Sequence, residues 1–156
     1  MLFGHLAVAA LEHRYTRAAL VPVTAATIFP DAVDKVAHYV LGYNATGRMW
    51  GHTLTVAALT SLIVMVLFGK HNAASWALGY FSHLLFDIEG TVPWLAPFVT
   101  YEFAPHRGFF EALWGNLTRP MIVVEIALAV WATIVIRQEI EAGRLSLTLS
   151  RQGQGD

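Results

Sequence analysis

The chain has 156 residues, enough for one domain, with a formal net charge of −1 and no cysteine. Disulfides, thiolate catalysis and cysteine-ligated metals are excluded, and the near-neutral charge with no basic tract gives no sign of nucleic-acid binding. Hydrophobic residues make up 56% and charged residues 13%, with a mean hydropathy of +0.51; soluble domains carry about 25% charged residues, so the composition predicts an integral membrane protein.

The N-terminus has no basic n-region and no clear cleavage site, so residues 1–10 read as part of the mature chain. The first apolar run is Leu2 to Leu11, interrupted by Glu12, His13, Arg14 and Arg17. The second is Ala18 to Phe29, with Pro30-Asp31 expected to end it. Neither reaches the roughly 20 residues of a full span. Two arrangements are open, a short helical hairpin or one helix with a polar waist. Pro22 suits a helix that begins near Leu20.

Asp31 to Gly51 is polar, and Gly42, Asn44 and Gly47 make its second half loop-like. Thr53 to Phe68 and Ala73 to Phe86 are apolar runs joined by Gly69-Lys70-His71-Asn72, so the two helices must be antiparallel neighbours. Residues 89–118 hold Pro93, Pro97 and Pro105 among many aromatics, as an interfacial loop does. Pro120 to Ile136 is the last run. Glu125 lies near its start, where solvation at the interface is expected. No internal repeat is apparent. The predicted fold is all-α: an integral membrane helical bundle with a short N-terminal hairpin, about three longer transmembrane helices and an aromatic interfacial loop. Residues 1–137 form a single membrane-embedded domain, and 138–156 a polar, partly disordered tail.

His83 and Asp87 stand at i and i+4, one face of a helix with Cβ atoms roughly 5–6 Å apart. An imidazole and a carboxylate so spaced can reach one metal ion. Their neighbours Phe81, Leu84, Leu85 and Phe86 are apolar, and ionisable groups in such surroundings are costly unless paired or metal-bound. Asp31 and Asp34 are three residues apart, and His5 and His52 each open an apolar run. If the first two runs form a hairpin, all six groups reach one side of the bundle. Taken singly, each is more readily a hydrogen-bonded or interfacial group. Taken jointly, they favour a metal site.

The order Gly4-His5-Leu6, Phe29-Pro30-Asp31-Ala32-Val33-Asp34, Arg48 four residues before His52-Thr53, and Leu78-Gly79-Tyr80-Phe81-Ser82-His83-Leu84-Leu85-Phe86-Asp87 resembles the LexA-binding, inner-membrane-associated hydrolases. These are also called membrane-bound metal-dependent hydrolases. The resemblance covers residues 4–99 and implies metal ligation by His5, Asp31, Asp34, His52, His83 and Asp87. Lys35 stands where the family often has His, and the residues flanking His52 also depart from its pattern.

The expected activity is metal-assisted hydrolysis of an ester or phosphoester, lipids included, reached from the bilayer. Zinc or manganese suits the His and carboxylate donors, and six ligands leave room for two ions sharing Asp residues. Asp34 is the expected general base, and Arg48 the group that stabilises developing negative charge. The competing reading is a non-catalytic subunit of a larger respiratory or photosynthetic membrane complex. Either way the expected location is the bacterial inner membrane, with the lipid bilayer as partner.

Overall fold

The computed structural model describes residues 4–42, 49–87, 92–102, 110, 114 and 121–143. Among these, five α-helices and a π-helical turn account for the regular structure, and there is no strand. The helices are α1 (Gly4–Thr16), α2 (Leu20–Lys35), α3 (Leu54–Phe68), α4 (Lys70–Phe86) and α5 (Met121–Glu141). The π-turn, Val36–Val40, continues α2.

The connections explain the path. Between α1 and α2 the chain reverses at Arg17, whose φ is 61°. The His13 ring donates from Nδ1 to the Ala18 carbonyl at 2.7 Å, and the Ala19 amide donates to Ser75 Oγ on α4 at 2.7 Å. The turn is thus closed locally and tied to a third helix. Thr53 caps α3 by accepting the Val56 amide at 3.1 Å. Another free amide of that first turn, Leu54, donates to the Trp94 carbonyl at 3.0 Å. This bond docks the 92–99 segment on the start of α3. Between α3 and α4 lies only Gly69, at a φ of 83° that a side chain disfavours.

Helix α2 does not stop at Pro30. The helix continues through Asp31 to Lys35, with Pro30 inside it. An interior proline forfeits a helical hydrogen bond, and tertiary packing can override that preference. Here Pro30 is buried, with Gly51 packed against its carbonyl. The extension puts Asp31 and Asp34 on an ordered helix rather than in a loop.

Three small apolar clusters hold the bundle. Ala26, Tyr80, Leu84 and Val92 join α2, α4 and the 92–99 segment. Ala9, Ala18 and Val23 pack where α1 meets α2. Ala7 and Leu11 meet Ala132 and Val135 of α5. Glu125 is buried rather than solvated, and its Oε2 lies 3.4 Å from the Gly4 amide at the start of α1. A carboxylate complements the partial positive charge of a helix N-terminus.

The expectation of an integral membrane bundle is overturned. Among the described residues, no helix is long and apolar enough to cross a membrane. Helix α3 is strongly apolar, but its 15 residues span about 22 Å at 1.5 Å each, short of the ~30 Å hydrocarbon core. The longer α5 carries Glu125, Arg137, Glu139 and Glu141. Helix α3 fully buries no residue and leaves Leu59, Ile63, Val66, Leu67 and Phe68 exposed. Helix α5 runs to Glu141, five residues beyond the apolar run that ends at Ile136. Most of the aromatic loop and residues 144–156 fall outside the described residues.

Helices α2 and α4 approach closely at Gly79, where an added Cβ would collide with the Val23 carbonyl. The obstacle is backbone, so a helix must move. Gly79→Ala should therefore destabilise the protein by about 1–3 kcal/mol, the usual cost of overpacking. Thermal unfolding followed by circular dichroism checks this. An unchanged midpoint would show that the two helices can part freely.

Candidate metal centre

Helix α2 brings Asp31, the turn before α3 brings His52, and the end of α4 brings His83 and Asp87. One ligand atom from each of these four lies within 4.8 Å of every other. His52 and His83 are fully buried, Asp87 nearly so, and Asp31 is partly exposed. Solvent therefore reaches the group from the Asp31 side.

Each imidazole is oriented from behind. His83 Nδ1 donates to the Thr27 carbonyl at 2.7 Å. A carbonyl only accepts, so Nδ1 carries the proton, and in the neutral ring Nε2 presents its lone pair. His52 Nδ1 lies 2.8 Å from Asp34 Oδ2 and donates to it. The two Nε2 atoms consequently face each other at 3.2 Å. His52 Nε2 is also 3.8 Å from Asp31 Oδ1 and 3.5 Å from Asp87 Oδ2, and His83 Nε2 is 3.9 Å from Asp87 Oδ2.

These separations test whether a cation fits. Zinc bonds of about 2.0–2.1 Å in a tetrahedron set neighbouring donor atoms roughly 3.3–3.4 Å apart. Hydrogen-bonded pairs sit closer, at about 2.7–3.2 Å. Four of the donor pairs are 3.2–3.9 Å apart and all lie within 4.8 Å, spacings that fit the edges of an expanded coordination shell. The two-imidazole, two-carboxylate donor set suits a divalent ion of the zinc or manganese type.

Asp34 has a different place from its neighbour Asp31. Besides His52, it accepts the Met49 amide at 2.6 Å and the Gly51 amide at 2.9 Å. The carboxylate stands behind His52, orients that ring and folds the 49–52 turn around itself. Tyr80 supports the same turn by donating to the Gly51 carbonyl at 2.5 Å. Burial, and then the Asp34 charge, raise the Tyr80 pKa, so the phenol stays a donor. His5 stacks on His83 with ring centroids 4.0 Å apart, and its Nε2 is 3.4 Å from Asp87 Oδ1. The structure thus brings His5, Asp31, Asp34, His52, His83 and Asp87 to one locality. Arg48 lies outside the described residues.

Two contributors escaped the sequence reading. Tyr80 carried a signal, since it precedes His83 by three residues and Asp87 by seven on the same helical face. Thr27 acts through its backbone carbonyl and offers no side-chain signature.

The electrostatics separate the two histidines. Burial pushes His83 down to about 3, and the nearby His5 and His52 push the same way. Burial also opposes charge on His52, but hydrogen bonds to Asp34 and Asp87, with the charge of Asp31, outweigh it and raise its pKa above 6.5. Burial would raise Asp31 as well, but the Lys35 ammonium, 2.6 Å from Oδ2, holds it below the ordinary carboxylate value.

Two outcomes follow. Asp34→Ala should weaken zinc binding about 10–100-fold, as loss of an outer partner of a ligating histidine typically does; competition with a chromophoric chelator measures this. In the metal-free form, the protonated His52 stabilises the fold fully below 6.5, and this contribution is lost as pH rises through the raised pKa. A cation must displace that proton, whereas His83 is already neutral. Zinc affinity measured by calorimetry should therefore rise between about pH 6 and 8 and continue rising above 6.5, where an ordinary histidine would level off.

No curated protein and no solved structure matches the chain. A family model does, over residues 1–149, nearly the whole length, and by it the chain belongs to the YdjM inner membrane protein family.

Proposed function

We propose that the protein is a metal-dependent hydrolase of the bacterial inner membrane, acting on an ester or phosphoester. The observation that carries this reading is the pair of opposed Nε2 atoms, 3.2 Å apart and flanked by Asp31 and Asp87. Both rings are locked from behind by Asp34 and Thr27, which is how ligating histidines are held. The resemblance to the membrane-bound metal-dependent hydrolases, carried by the same residues, supports the hydrolytic chemistry.

Asp31, His52, His83 and Asp87 would hold a divalent cation, which would supply Lewis acidity. The chain's own residues do the rest. Asp34 keeps the His52 lone pair aimed inward. Asp31 is the reachable carboxylate, at the edge where substrate and water enter. Lys35, half exposed and paired with Asp31, offers positive charge to an anionic substrate at that edge.

The test is metal content and turnover of the purified protein, with p-nitrophenyl acetate and bis(p-nitrophenyl) phosphate as probes. Wild type should hold zinc or manganese and cleave one of the two. His83→Ala should lose both properties by more than the roughly 10–100-fold that outer partners are worth. Lys70→Ala, at the other end of α4, should keep both.

One observation favours a second reading. Apolar surface as extensive as that of α3 marks an interface. It suits a non-catalytic subunit of a larger membrane assembly. Bound metal without turnover, together with co-purifying subunits, would favour that reading over the hydrolase.

A further inference from the structure

We propose that His5 and Asp87 Oδ1 hold a second divalent cation beside the first, with Asp87 bridging the two. The inference rests on the metal-centre reading above and adds a position to it. His5 is only 5% exposed, yet neither of its ring nitrogens has a hydrogen-bond partner among the described residues. Histidines buried this deeply normally satisfy at least one nitrogen. The near neighbour of Nε2 is Asp87 Oδ1 at 3.4 Å, longer than a hydrogen bond and equal to the edge of a coordination shell.

Ring geometry separates His5 from the first position. The His5 and His83 rings are stacked, with centroids 4.0 Å apart and planes inclined by 23°. An imidazole nitrogen binds a metal in the plane of its ring. Two near-parallel rings therefore aim their lone pairs along two layers, not at one point. The spacing of those layers resembles the roughly 3.5–4 Å between ions in two-metal sites.

Asp87 spans both layers. Its Oδ2 faces His52 at 3.5 Å and His83 at 3.9 Å, while Oδ1 faces His5. Asp31 is not placed to do this, because one of its oxygens faces His52 and the other is held by Lys35. Paired cations clamp the attacking and leaving oxygens of an in-line displacement, so the arrangement points to a phosphoester rather than a carboxylic ester.

The experiment loads the full-length protein with manganese, counts bound ions by elemental analysis and records the electron paramagnetic resonance spectrum. Wild type should bind about two ions per chain and show the spectrum of an exchange-coupled pair. His5→Ala should keep about one ion and show the signal of isolated manganese. A wild-type protein that binds one ion overturns the second position and leaves the metal-centre reading intact. A wild-type protein that binds none overturns both. Two ions retained in both His5→Ala and His5→Gln would also overturn the assignment of His5. Wild-type stoichiometry decides whether a second ion binds even if a variant fails to fold, and the near-isosteric His5→Gln tests the assignment of His5 where His5→Ala does not fold.

Discussion

Two buried imidazoles point the same kind of atom at each other, and the rest of the structure serves that arrangement. Two neutral rings with Nε2 lone pairs at 3.2 Å repel unless something positive lies between them. In the metal-free form, that positive charge is the proton on His52, stabilised by Asp34 and the nearby carboxylates. His83, held neutral, accepts it. A divalent cation held there would take the place of that proton, with Asp31 and Asp87 within reach as further ligands. The cluster of two carboxylates and two imidazoles favours positive charge, and a metal would have to displace the His52 proton.

Holding this arrangement accounts for several choices that look unfavourable locally. Helix α2 keeps a proline in its interior and still carries Asp31 and Asp34 one turn beyond it. Gly51 and Gly79 leave no room for a Cβ against the carbonyls of Pro30 and Val23, so the His52 turn and α4 both press onto α2. The Asp34 carboxylate, fully buried, accepts two backbone amides and a ring nitrogen, a degree of satisfaction that makes its burial tolerable. The apolar clusters around it are small, built largely from Ala, Val and Leu. Much of the larger apolar surface lies outside, on α3 and α5.

The site was more legible than the fold. The i, i+4 spacing of His83 and Asp87 placed both on one helix face, where the structure has them 3.9 Å apart. The sequence placed Asp31 and Asp34 three residues apart beyond an expected helix end, and it could not say which side of the His52 ring each would meet. One meets Nε2 and the other Nδ1, and that difference separates a candidate ligand from an orienting group. Pro30 suggested a helix end because propensity is local, while the packing that carries the helix past it comes from Gly51, 21 positions on. The composition suggested membrane spans, but a span needs length and apolarity in the same helix. Here α3 has the apolarity without the length, and α5 has the length with Glu125 and Glu139 inside it.

Membership of an inner membrane family and exposed apolar helices agree on a hydrophobic neighbourhood, and the candidate metal cluster has its partly exposed edge at Asp31 and Lys35. The central claim is that buried histidines bind the cation. X-ray absorption at the metal edge of the zinc-loaded protein tests it most directly. The account predicts a mixed nitrogen and oxygen shell at about 2.0–2.1 Å with the multiple-scattering signature of at least two imidazoles. A shell of oxygen alone, as exposed carboxylates and water would supply, would contradict it.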